Sequence, residues 1–347
     1  MATPTPKPTS GSPVFRAVAS STRPIQQLLK CITFTNKVHV EIGEDGLKFA
    51  AGQARAMSGV ASVSKSLFTS YSLNIPPSET HSNDDDDDEE PPSLSFQVSL
   101  AALLETLQIF GASDAAARQA KAEADPYRSN LRNYRPDAFS NQTLGMAGTC
   151  ILSYNEEGGP FSINLEESGV STTCNLTTYL PEAREDLPFD VSDLEFKVIM
   201  QSRYLLEALT ELAHSSPSRL TLTVSRQEPY LRMSCAGPLG GSSVDFAKGR
   251  DLFETFSVIN KWVQNFKFDL VKMAVDAMRI SSKVSIRGDG QGVLNMQFIV
   301  ETESREANFL NFTLLPYVVL DDEEEDEEKE DEEGEEEQNG AGDKSER

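Results

Sequence analysis

The chain has 347 residues, with 31 Lys+Arg against 55 Asp+Glu and a formal net charge of −24. Asp321–Arg347 holds 17 acids and 3 bases and Asp84–Glu90 adds 7 acids, so these two stretches carry −21 and everything else only −3. The low pI therefore describes two appendages and does not exclude nucleic acid as a partner of the body, whereas the lack of any run of ~18 apolar residues excludes a transmembrane helix.

Pro and Thr stand at the N-terminus where a secretory leader would need an apolar stretch, so secretion is not expected. Cys31, Cys150, Cys174 and Cys235 are scattered through apolar or strand-like contexts, the pattern of reduced thiols in the cytosol or nucleus. Setting aside residues 1–13, 76–92 and 321–347 leaves 290, near the upper limit for one core, which favours two domains.

In chain order, Phe15–Ala19 reads as a short strand and Thr22–Ile32 as a helix. Val38–Ile42 and Leu47–Ala51 alternate as strands around the turn Gly43–Gly46. The same order returns about 181–183 residues later. Phe196–Met200 is a strand, Arg203–Ala213 a helix, and Leu220–Val224 and Tyr230–Ser234 are strands around Gln227–Pro229.

The second half of each unit repeats as well, with Phe96-Gln-Val-Ser99 aligned on Phe266-Lys-Phe-Asp269. Ser99 and Asp269 are expected to N-cap the helices that follow. Leu100, Leu103, Leu104 and Leu107 give one helix an apolar face, and Leu270, Met273, Ala274 and Ala277 give the other. Strand pairs then follow in both, Cys150–Tyr154 with Phe161–Leu165 and Lys283–Arg287 with Leu294–Val300. Pro181, Pro188 and five acids mark Leu180–Leu194 as a connector.

A duplicated unit of two helices against antiparallel sheets resembles the sliding clamps of the PCNA type. Several stretches resemble more closely the Rad-one family of DNA-damage checkpoint clamp subunits. They include Leu28-Leu-Lys-Cys-Ile, Gly46-Leu-Lys-Phe, Ser99-Leu-Ala-Ala-Leu-Leu-Glu-Thr-Leu, Glu166-Glu-Ser-Gly-Val, Glu228-Pro-Tyr-Leu-Arg-Met-Ser, Ser242-Ser-Val-Asp-Phe and Ser282-Lys-Val-Ser-Ile-Arg. They occur in the expected order between about Phe15 and Tyr317.

The resemblance implies an α+β fold of two duplicated domains, at 14–179 and 195–320, joined by the connector 180–194. Antiparallel sheets lie outside and two helices per domain line the inner face. Segments 76–92 and 114–148 are insertions in the first domain, and 1–13 and 321–347 are expected to be disordered. The resemblance further implies a nuclear ring with Rad-nine-like and Hus-one-like partners. A clamp loader places that ring around double-stranded DNA, where it recruits checkpoint and repair proteins; no membrane, metal or cofactor is implied.

Encirclement retains DNA by topology, so a few phosphate-facing cations suffice. The candidates are Arg23, Gln26 and Lys30 on the first helix, Arg203 on the third, and Lys272, Arg279 and Lys283 on or after the fourth. Glu207 and Glu211 oppose them, and ordinary solvated helix faces are the bland alternative. The resemblance places subunit-pairing edges at Val170–Tyr179 (Val170, Thr172, Cys174, Leu176) and Gly241–Ala247 (Ser243, Val244, Phe246). It places a partner-docking site at the connector, with Leu187, Phe189 and Val191.

Two rival classes remain open at this stage. A metal-dependent 3'-5' exonuclease would need rigidly convergent carboxylates, but the acids cluster in low-complexity runs, and Gly288-Asp-Gly-Gln-Gly reads as a hairpin turn rather than a phosphate loop. His39, His81 and His214 have no partners at ligand or triad spacing. An acidic histone chaperone accounts for the tail but not for the duplication. Segment 114–148 mixes five bases with Tyr127 and Tyr134, a pattern that can bind single strands, though its net of +1 favours a surface loop.

Overall fold

A computed structural model describes residues 13–75, 93–108, 149–167, 170–181, 187–238, 240–247, 249, 252–302 and 307–317. The acidic segment, the whole 114–148 insertion and the tail lie outside the described residues.

Strands β1 (Phe15–Ala19), β2 (Lys37–Gly43), β3 (Gly46–Gln53), β4 (Met57–Ser64), β5 (Ser70–Leu73) and β6 (Leu94–Ser99) surround helix α1 (Arg23–Lys30). Helix α2 covers 100–108, and β7 (Thr149–Tyr154), β8 (Phe161–Glu167), β9 (Val170–Leu176) and β10 (Thr178–Tyr179) complete the first unit. The second unit runs β11 (Leu194–Gln201), α3 (Ser202–Leu212), β12 (Arg219–Val224), β13 (Leu231–Gly237), β14 (Gly240–Phe246), β15 (Phe253–Val258), β16 (Trp262–Lys267), α4 (Phe268–Lys272), α5 (Val275–Ile280), β17 (Lys283–Asp289), β18 (Leu294–Val300) and β19 (Asn308–Leu314).

These strands form three antiparallel sheets ordered β5-β1-β7-β8-β9, β10-β6-β2-β3-β4-β19-β18-β17-β11-β15 and β14-β13-β12-β16. Splitting the long sheet between β4 and β19 exposes the duplication. Each unit then contributes a five-strand and a four-strand run in the same order, apart from the two-residue β10. Strand alternation buries one face; β4, for example, alternates buried and half-buried residues throughout. In α3, Leu205, Ala208, Leu209 and Leu212 are buried at i, i+3, i+4 and i+7.

The units are joined at their centre by backbone and packing together. Gly59 on β4 lies opposite Phe312 on β19, and Phe312 meets Phe298 edge-on at 5.8 Å. The first helix of each unit is tied to the end of its second region. Thr22 Oγ1 donates to Leu107 O at 3.3 Å, and Ser281 Oγ donates to Ser202 Oγ at 2.8 Å.

The fourth helix differs from its sequence reading. It starts at Phe268, so Asp269 is a first-turn acid rather than the N-cap, whereas Ser99 Oγ does accept from Ala102 N–H at 3.4 Å. It also breaks at Met273–Ala274, where Met273 and Ala274 N–H bond the carbonyls of Leu270 and Val271, tightening the spiral from i−4 to i−3. The start sets the alignment of the units. Leu100 N–H bonds Asn36 O as Phe268 N–H bonds Ser218 O, both at 3.0 Å, so Ser99 corresponds to Lys267 and the expected Phe96–Phe266 match slips by two residues.

Candidate functional site

Two predicted edges are edges of sheets. β9 closes the five-stranded sheet and β14 the four-stranded one. The duplication gives each a paired counterpart. Leu47 lies opposite Val63 as Leu231 lies opposite Phe246, so β14 corresponds to β4; Ile163 opposite Cys174 matches Met296 opposite Phe312, so β9 corresponds to β19. Within the chain β4 and β19 pair with each other, Ala61 against Leu310 and Gly59 against Phe312.

Burial follows the pairing. Leu310 and Phe312 are fully buried, whereas their counterparts Thr172 and Cys174 are exposed and half-buried. Ala61 is fully buried, whereas its counterpart Val244 is half-buried, and Ser243 is exposed. Leu176 and Phe246 point into the core, so they offer only backbone to a neighbour; Val170 begins the β9 edge. Cys174 Sγ meets Thr106 Oγ1 at 3.3 Å. On β14, Asp245 takes a two-pronged ion pair from Arg232 at 2.6 and 2.7 Å, which holds its carboxyl below the ordinary range.

The helices bring half of the cation candidates together. Arg203, Arg279 and Lys283 share a cleft of about 410 Å³ with Leu206, Met278 and Ser282. Arg279 is paired with Asp276 and Lys283 with Glu254, each at 2.7 Å, while the Arg203 guanidinium lies over the Tyr204 ring. Lys283 opens strand β17, so it is not a helix residue. Arg23 and Lys30 on α1 and Lys272 on α4 are exposed and lie outside this cleft. Gln26 is buried and leaves the polar face, and the exposed Glu207 and Glu211 keep the helical surface mixed in charge.

At the connector, residues 182–186 lie outside the described residues. Leu187 and Phe189 are half-buried, and of these three candidates Val191, 63% exposed, projects freely. Phe189 covers the Arg287 guanidinium, 5.5 Å from its ring centre. Arg287 donates to Asn295 Oδ1 at 2.7 Å, and Asn295 donates to Thr313 Oγ1 at 3.0 Å, so a polar network underlies the connector.

The fully buried Asp289 anchors the arrangement. Its carboxylate accepts from Gln291 N–H and Val293 N–H, closing the β17–β18 hairpin, and from Asp190 N–H of the connector. The Gly-rich stretch is therefore a turn, as its residues predict. Its Asp-Gly signal was legible, but the latch onto the connector was not. A second concavity of about 660 Å³ on the outer surface, lined by Glu41, Glu44, Asp45, Lys48, Lys65 and Phe309, had no sequence signal because its lining comes from four distant segments.

Two repeats of one antiparallel unit, paired inside the chain and open at both outer ends among the described residues, define a sliding-clamp architecture. The family described as repair protein Rad1/Rec1/Rad17 matches residues 14–300, and the chain belongs to it. It is 28% identical to the DNA damage checkpoint control protein rad1 of Schizosaccharomyces pombe over 313 residues, covering 90% of this chain and 89% of that protein. It is also 28% identical to the cell cycle checkpoint protein RAD1 of Mus musculus over 300 residues, 86% of this chain and 91% of the other. Similarity extends to the DNA repair exonuclease REC1 of Mycosarcoma maydis, 25% over 276 residues, 62% of this chain and 60% of that protein.

Proposed function

We propose that this chain forms one arc of a checkpoint clamp, a nuclear ring of three different subunits that encircles double-stranded DNA and recruits checkpoint and repair proteins. One observation carries the reading: among the described residues, the pairing that joins the two units internally is left unmade at both ends. An unpaired β-prone edge is a liability unless a neighbour covers it. Because β9 and β14 are different surfaces, the contact they make is head-to-tail, and head-to-tail contacts close into rings when the rotation permits.

The internal β4–β19 ladder supplies the register. Ser242 of this chain would face a neighbour's counterpart of Phe312, and Cys174 a neighbour's counterpart of Gly59. The two units, taken as 14–179 and 195–320 with the connector between them, would each present their helices to the hole. Arg203, Arg279 and Lys283 would meet phosphate there, with Arg23, Lys30 and Lys272 spaced along the same lining. The connector face, with Leu187, Phe189 and Val191, would receive client peptides, and a clamp loader would open the ring.

The reading is non-enzymatic. The exonuclease name of the Mycosarcoma maydis relative makes a nuclease assay with added divalent metal a fair control. Among the described residues, no three His, Cys, Asp or Glu side chains gather in a way that could hold a metal ion.

Retention on DNA tests the proposal. The assembled complex, loaded on nicked circular duplex, should survive a wash in 0.5 M salt and be lost when the circle is cut. Equal salt-sensitive release from circular and linear DNA would replace encirclement with ordinary surface binding.

A further inference from the structure

The outer face of the long sheet carries two cations side by side. Lys197 on β11 and Arg287 on β17 lie directly opposite each other, so both side chains leave the same face, where like charges repel. Among the described residues neither has a carboxylate at ion-pair distance. Arg287 Nε is buried without a partner, and burial lowers the pKa of its guanidinium. Two facing cations, one partly desolvated, form a site suited to carboxylates.

The chain itself delivers carboxylates to this place. Thr313, Asn295, Arg287 and Lys197 form one row across adjacent strands, and strands stand about 4.8 Å apart, which puts Thr313 about 10 Å from Arg287. β19 ends one residue later at Leu314, and Tyr317, the last described residue, bonds Asn265 O through its N–H at 2.6 Å. Asp321 follows four residues on, and at ~3.5 Å per extended residue a 27-residue tether from there is long enough to span a distance of this order. They number 17 against 3 bases in Asp321–Arg347. Tethering at such a distance gives an effective concentration near the millimolar range.

We propose that the acidic C-terminal segment, Asp321–Arg347, docks in cis on the Lys197/Arg287 pair beside the connector. It then covers the face from which Phe189 and Val191 rise, and any acidic partner segment must displace it. This contact belongs to the single chain, so it holds or fails independently of ring assembly.

The test measures acetylation rates of individual lysines in the intact chain and in a chain ending at Leu320. Lys197 should react at least threefold more slowly in the intact chain at low salt, with Lys272 unchanged. The difference should disappear in 0.5 M salt. A synthetic peptide of residues 321–347 should restore protection to the shortened chain but not to its Arg287→Gln variant. The milder Arg287→Lys, which keeps the charge, should retain that protection and so controls for folding.

Equal Lys197 rates in the two chains would overturn the proposal. So would protection by the peptide that survives Arg287→Gln. Protection that persists in the shortened chain and vanishes only on neutralising Glu182, Glu185 and Asp186 would assign the cations to the connector's own acids and likewise overturn it.

Discussion

Gly59 shows how a single residue holds the two units together. A Cβ there would sit 2.8 Å from Phe34 Cζ, 3.1 Å from Phe312 Cε1 and 3.2 Å from Ile32 Cγ2, so these three side chains pack over the β4–β19 seam in this way only because the position is glycine. Gly59→Ala should lower stability by about 1–3 kcal/mol, the usual cost of overpacking, read as a drop in denaturation midpoint.

The thiols give a residue-level test of the core. Burial, with a smaller contribution from Asp276, pushes the Cys31 thiol from 9.0 up to about 12. The folded chain therefore keeps a proton that the unfolded chain loses near pH 9, and this group makes stability fall as pH rises from about 9 to 12. At pH 8.5 iodoacetamide should modify the half-buried Cys174 before Cys31, Cys150 and Cys235, all buried; faster reaction at Cys31 would contradict the packing of α1. From sequence, the scatter and strand-like contexts of these cysteines read as core thiols, which holds for Cys31, Cys150 and Cys235, whereas Cys174 sits half-buried on the β9 edge. The burial of Gln26 was not legible, because α1 puts it on a helix face that other elements cover.

At the scale of elements, the open edges separate folding from assembly. Thr172→Lys and Ser243→Lys place exposed charges on β9 and β14, a device natural edges use against pairing. Together they should change monomer stability by less than ~0.5 kcal/mol, as most surface substitutions do. They should nevertheless prevent co-purification with the two partner subunits. Retained assembly at wild-type strength would show that neighbours dock elsewhere.

Much of the strand order was legible because alternation and turn residues recur along both units, whereas β4, β5 and β15 were not. Registers were less so. Sliding Phe96 against Phe266 by two residues keeps every side chain on the same face, so both alignments satisfy the hydrophobic pattern. Only the hydrogen bonds at Asn36 and Ser218 decide between them. β19 was invisible as a joining strand for a related reason. Its partner β4 lies far back in the chain, as the Ser64 N–H to Asn308 Oδ1 bond across 244 positions shows, and periodicity carries no such address.

For the whole molecule, charge separates into a nearly neutral body and two acidic stretches. Ending the chain at Leu320 removes −14 of the −24 and takes none of the described strands. Assembly with the partner subunits should then be unchanged, while solubility and the reactivity of Lys197 should not. Loss of assembly on this truncation would make the tail part of the interface.

Head-to-tail closure is the central claim, and the mass of the assembly tests it most directly. Co-expressed with its Rad-nine-like and Hus-one-like relatives, the chain should give one species by native mass spectrometry containing each subunit once, and alone it should form no closed ring. A stable trimer of this chain by itself, or failure to join the two relatives at all, would contradict the account.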